Sequence, residues 1–183
     1  ARLDRMTKLG ILGQKPTVFQ RLANIPAWDT LSKDERRQSA RRMELYAAMV
    51  EHMDANIGKV VEYLKAKNLY DNTLIILLSD NGPEGNSKFE EWGKKGTFIQ
   101  YGAAWAQVSA GPFRMFKGFL SEGGIRAPLI ISGRGVNGGG RISDAVTHVM
   151  DIPATILNAA SVAHPAKYNG KEVAPLQGKS LSA

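Results

Sequence analysis

The chain has 183 residues, 43% hydrophobic and 22% charged, and no cysteine; this is the balance of an ordinary globular domain and it excludes disulfides and thiolate metal sites. Its 24 Lys and Arg against 17 Asp and Glu leave a formal charge of +7, a modest surplus that suits an anionic substrate better than nucleic acid. No run approaches the roughly 18 apolar residues that a membrane span needs, and Ala1-Arg2-Leu3-Asp4-Arg5 lacks the apolar core of a signal peptide, which in a chain not starting with Met leaves the compartment open.

Through the first thirty residues Gly10, Gly13, Pro16 and Pro26 interrupt short apolar runs, and no long element is predicted. Ser32-Lys33-Asp34-Glu35 has the spacing of a capping box, in which the Ser32 hydroxyl and the Glu35 carboxylate satisfy two unpaired backbone donors, so a long helix starts there. Met43, Tyr46, Ala47, Val50, Met53, Ile57, Val60, Val61 and Leu64 recur at three- and four-residue steps, which predicts one stripe packed onto a sheet. Met43, Met49 and Met53 read as packing at helical spacing and not as a cofactor box. The basic cluster Arg36-Arg37 and Arg41-Arg42 alternates with Asp34, Glu35 and Glu44 at helical spacing and reads as a solvated face. Asn68 ends the helix.

The stretch Thr73-Leu74-Ile75-Ile76-Leu77-Leu78-Ser79 carries no charge and predicts a strand buried on both faces at the centre of a sheet. Asp80-Asn81-Gly82 follows at its carboxyl end, where α/β sheets place ligand crevices. From Pro83 to Phe113 no period is visible, and the glycines and aromatics there, Trp92, Phe98, Tyr101 and Trp105 among them, predict a loop lining a substrate mouth. Those aromatics serve either to hold an aryl group or to pin the loop to the core. Pro128 to Ser132 is a second apolar strand entered through Gly123-Gly124, and Gly133 to Gly140 is a surface connection. Asp151-Ile152-Pro153 opens a short helix running to about Ala160, with Asp151 as N-cap and Pro153 in its first turn.

Asp80 and Asn81 are hard oxygen donors of the kind Ca²⁺ or Mg²⁺ takes, although Asp-Asn-Gly also makes a plain turn. The surrounding residues bear on that choice. Arg42 to Glu51 with Asp54 and Gly58, Asp71-Asn72-Thr73 through Gly82, Tyr101-Gly102 with Trp105-Ala106, Pro112-Phe113-Arg114 with Lys117, Glu122 to Pro128, and Asp151 with Pro153 and Thr155 together resemble the sulfatase family, and its arylsulfatase members in particular. The matches run in family order from about Trp28 to Leu181.

The resemblance implies an α/β fold: part of a mixed sheet sandwiched by helices, with the long helix packed on the central strand. It implies hydrolysis of a small-molecule sulfate ester within the alkaline phosphatase superfamily. Asp80 and Asn81 would ligate a divalent cation, usually Ca²⁺ with Mg²⁺ as the alternative, and Lys117 would bind the sulfate group and act in catalysis. The family's nucleophile is a formylglycine made in a Cys/Ser-x-Pro-x-Arg motif, and no such string occurs here. Ala110-Gly111-Pro112-Phe113-Arg114 has Ala at the nucleophile position and follows Asp80, so it is coincidental. Residues 1–183 are therefore expected to be the carboxyl-side part of one catalytic domain, with the amino-side half missing and the chain inactive alone. His52, His148, His164, Glu84, Glu90 and Glu91 receive no role, and Arg114 stays unassigned. Two other readings remain open, a phosphonate or phosphate monoester hydrolase and a non-catalytic anion-binding module.

Overall fold

The computed structural model describes residues 2–12, 16–87, 94–97, 100–136 and 139–182; Glu90, Glu91, Trp92 and Phe98 lie outside them. The chain is α/β and divides into two compact units, Ala1–Glu62 with Asn81–Pro128 and Tyr63–Asp80 with Leu129–Ala183.

The first unit is helical. It holds α1 (Arg2–Lys8), nearly all of α2 (Lys33–Ala66), α3 (Gly102–Ala110) and α4 (Glu122–Ile125). The capping box at the start of α2 forms in both directions: Ser32 N–H donates to Glu35 Oε2 at 2.8 Å, and Glu35 N–H donates to Ser32 Oγ at 3.3 Å. The Ser32 hydroxyl and then the Ser32 N–H hold the Glu35 carboxyl below its usual range. At the other end Asn68 takes a left-handed φ of 56°, the conformation that commonly stops a helix. Asp34 pairs with Arg37 and Glu44 with Arg41 along the exposed face, so part of the basic cluster is offset within its own helix.

The predicted apolar stripe of α2 is covered only near its start. Met43 packs against a core of Tyr101, Ala106 and Phe116, and Tyr46 stacks on Tyr101 at 4.8 Å between centroids. Further along, Met49 (63% exposed) and Val60 (59%) stand in the open, and no residue of the helix is buried.

The core that Met43 meets is supplied in part by α3, which falls where the sequence predicts a loop. Its buried residues are Gly102, Ala106 and Ala110, small side chains at four-residue steps that show no bulky hydrophobic period. Trp105 Nε1–H donates to Ser39 O at 2.9 Å and meets Trp28 edge-on at 6.3 Å, so Trp105 pins this segment to α2. Of the two roles considered for the aromatics, Trp105 has the anchoring one.

The second unit holds the strands β1 (Leu74–Leu78) and β2 (Leu129–Gly133), the helix α5 (Asp151–Ala159) and a hairpin of β3 (Lys167–Tyr168) with β4 (Lys171–Glu172). β1 and β2 pair antiparallel, in register from Leu74 opposite Gly133 to Leu78 opposite Leu129. The sequence predicts β1 as a strand buried on both faces; among the described residues it has one neighbouring strand, its first four residues are half-buried, and Leu78 is exposed. Its uniformly apolar side chains fit a covered strand, but one neighbour covers only part of them.

Asp151 begins α5 without capping it. Its Oδ2 accepts from His148 N–H and its Oδ1 from Lys179 N–H, each at 2.8 Å, so the carboxylate ties the helix to the segment near residue 179. Thr155, buried, continues the clasp: its hydroxyl donates to Asp151 O at 2.7 Å and accepts from Leu181 N–H at 2.9 Å. The Lys179 and His148 N–H groups hold the Asp151 carboxyl below its usual range. A lowered folded pKa means that the clasp's ionic contribution is fully present above the ordinary aspartate value near ~4 and is lost as pH falls through the folded value. Asp151→Asn should therefore melt below wild type at pH 6, and the gap should narrow steadily in melts taken below pH ~4. A gap that is constant down to pH 3 would deny the ionised carboxylate this role.

Candidate active site

Beyond β1 the chain makes a turn that takes its shape from close backbone contact. Asp80 is exposed, Asn81 is half-buried and Gly82 is buried. Gly82 N–H donates to Gly124 O at 2.8 Å, and a Cβ on Gly82 would lie 2.0 Å from Gly123 O. No side chain fits there, so glycine is required. Gly123 and Gly124 are crowded in turn by the carbonyls of Met115 and Phe119, each 2.0 Å from where a Cβ would sit. The Glu122-Gly123-Gly124-Ile125 motif therefore forms the short helix α4, whose glycines let the segments on either side approach.

The same packing sets Lys117. Its N–H donates to Pro83 O at 2.9 Å, which fixes residue 117 beside the stretch just after Asn81-Gly82. Its Nζ lies 2.9 Å from Glu84 Oε2, with the lysine side chain 46% and the glutamate side chain 28% exposed. Glu84 Oε1 in turn accepts from Asn86 N–H at 2.9 Å. Lys117 and then the Asn86 N–H hold the Glu84 carboxyl below its usual range.

Glu84 is the residue that sequence reasoning passed over. The sequence reading assigns it no role, whereas its partner is a lysine 33 positions further on. The available signal was its place in the Asp80-Asn81-Gly82-Pro83-Glu84 turn. Arg114 lies over the Phe19 ring at 5.8 Å, and its carbonyl accepts from Gly123 N–H and Ser121 Oγ. His148 Nδ1 accepts from Met150 N–H at 3.2 Å and belongs to the α5 clasp.

Among the described residues no three His, Asp or Glu side chains gather into a cation site. Asp80 and Asn81 offer a carboxylate and a carboxamide oxygen, the right kind of donor for Ca²⁺ or Mg²⁺, but two donors fall short of the about six to eight that Ca²⁺ takes. No helix in the described residues is long and apolar enough to cross a membrane.

The chain is α/β, with the Asp80-Asn81 turn beyond β1 and Lys117 tied by its own backbone to Pro83. The sulfatase family profile matches residues 14–162, and the chain belongs to the sulfatase family. It is 43% identical over 172 residues to an uncharacterized sulfatase of Schizosaccharomyces pombe, covering 84% of this chain and 31% of that protein. It is 33% identical over 199 residues to the arylsulfatase of Klebsiella aerogenes, covering 100% of this chain and 43% of the relative. A steryl-sulfatase of Rattus norvegicus is 32% identical over 133 residues, covering 72% and 21% respectively. The chain thus spans less than half the length of each of these relatives.

Proposed function

We propose that this chain is the carboxyl-side part of the catalytic domain of a sulfuric ester hydrolase of the arylsulfatase type. Family membership supports the reaction class, and the observation that carries the site is the lysine fixed by its own backbone to the turn that follows Asn81. A sulfate monoester brings one negative charge, and its hydrolysis places more on the leaving oxygen; a preorganised ammonium is suited to stabilise both. Lys117 binds the sulfate group in this reading.

Asp80 and Asn81 would hold a divalent cation, Ca²⁺ by preference, with further ligands from the amino-side part of the domain. That cation, when bound, supplies Lewis-acid polarisation of a sulfate oxygen and a template for the nucleophile. The nucleophile itself, a formylglycine, would come from the amino-side part. The role left to this chain is to orient the sulfate on Lys117, whose backbone is tied to the segment after Asn81 through the Pro83, Gly82 and Gly124 contacts.

The test is made on the intact protein containing this chain, with a chromogenic aryl sulfate and the matching aryl phosphate. Sulfate hydrolysis well above phosphate hydrolysis is expected; the reverse preference would replace this reading by that of a phosphate monoester hydrolase. Calorimetry tests the metal ligands. Asp80→Ala in the intact protein should weaken Ca²⁺ binding roughly tenfold or more, the scale on which even outer-shell partners of a metal are felt. Unchanged affinity would remove Asp80 from the ligand set.

A further inference from the structure

The Lys117–Glu84 pair is more constrained than a surface ion pair, and what it implies rests on the sulfate-binding role proposed for Lys117. Two strips of backbone, residues 82–85 and 115–124, lie against each other with almost nothing between them. Lys117 N–H is bonded to Pro83 O, Gly82 N–H to Gly124 O, and a Cβ on Gly85 would stand 2.2 Å from the Phe116 ring. Neither strip has room to slide. The Glu84 carboxylate is held at both oxygens, Oε1 by the Asn86 N–H and Oε2 by the Lys117 ammonium, each at 2.9 Å. The pair nonetheless remains open to water, with the two side chains 28% and 46% exposed, and a pair so exposed adds little to stability.

We propose that Glu84 is a positioning residue for Lys117, aiming its ammonium at the sulfate group while placing a fixed negative charge beside the anion subsite. Orientation is the first consequence. A lysine side chain has four flexible torsions, and a carboxylate contact from a clamped residue selects among them. Product release is the second. The ester is a monoanion and free sulfate a dianion, so a carboxylate nearby opposes the product about twice as strongly as it opposes the substrate. Glu84 thus lets Lys117 bind the ester and lets sulfate leave.

The experiment compares wild type, Glu84→Gln, Glu84→Asp and Lys117→Ala in the intact protein. It reads kcat and KM on an aryl sulfate, inhibition by inorganic sulfate, and sulfate binding by calorimetry. Glu84→Gln should lower kcat roughly tenfold without raising KM, as expected for a misaligned catalytic group. The same change should strengthen sulfate inhibition and sulfate binding by a factor on the order of ten, because the opposing charge is gone. Glu84→Asp keeps that charge and should return the sulfate affinity to near wild type while recovering part of kcat. A merely structural role would shift neither the split between kcat and KM nor the sulfate affinity. Wild-type kcat and sulfate affinity in Glu84→Gln, with Lys117→Ala inactive, overturns the role of Glu84 and leaves the sulfate site standing. Should Glu84→Gln fail to fold, wild-type sulfate affinity with reduced kcat in Glu84→Asp supports the proposal, and unaltered kinetics in that variant overturns it. Normal turnover in Lys117→Ala overturns the site and this role together.

Discussion

Lys117→Ala in the intact protein is expected to cut turnover of an aryl sulfate by about a hundredfold or more, the scale on which one preorganised oxyanion donor acts. The loss should appear in kcat and kcat/KM together, since the ammonium contributes most when charge develops on the transferring group. Stability should hardly respond. The side chain is 46% exposed and its ion pair with Glu84 is open to water, so truncation removes a contact that solvent largely replaces. The backbone clasp is untouched, because Lys117 N–H still reaches Pro83 O in the variant. Circular dichroism melts that coincide with wild type, beside a hundredfold fall in kcat, are the expected pair of results. Near-normal kinetics would remove Lys117 from the sulfate site.

The elements that the sequence announced are those whose signal is local and chemical. The Ser32–Glu35 capping box fixes the start of α2 because both of its hydrogen bonds lie within four residues, and Asn68 marks its end through a conformation that few other residues accept. Leu74–Leu78 and the stretch from Pro128 to Ser132 read as strands because short apolar runs bounded by turn residues have few alternatives at that length. Missed elements had weak or mixed signals. The buried face of α3 is Gly102, Ala106 and Ala110, too small to register as hydrophobic periodicity. The β3–β4 hairpin is only two residues per strand, although Asn169-Gly170 at its tip, both with positive φ, is a strong turn dipeptide. Asp151 was legible as a helix-start residue but not as a clasp, because its partner Lys179 lies 28 positions away.

The candidate site divides along the same line. Asp80 and Asn81 stand out from their own chemistry and from their place after an apolar strand. Lys117 does not; an isolated lysine after a phenylalanine looks like any surface lysine, and only the resemblance to the sulfatases singled it out. Glu84 was visible as a residue and invisible as a partner, because the contact depends on glycines at 82, 123 and 124 that draw two distant strips together. Close backbone approach is a property of pairs of segments, and one segment's sequence states only half of it.

The 183-residue chain by itself is expected to hydrolyse no aryl sulfate above background and to self-associate. The chemical half of the argument is that attack at sulfur needs an activated nucleophile held in line. The chain has no cysteine and no Ser-x-Pro-x-Arg string, and a cation at Asp80-Asn81 with an ammonium at Lys117 neutralises charge without supplying an attacking atom. The physical half concerns surface. Apolar side chains stand open in both units. Leu78 and Ile130 on the paired strands are 40% and 58% exposed, and Met49, Met53 and Val60 stand open along α2. Uncovered apolar surface of this kind, beside a strand with one neighbour among the described residues, recruits other chains. Light scattering on the purified chain should give a mass well above 19.9 kDa, and a chromogenic aryl sulfate with Ca²⁺ should yield no metal-dependent release. A well-behaved monomer that turned over the ester would mean that the catalytic apparatus is complete within these residues, and it would require a nucleophile from among the serines and threonines they contain.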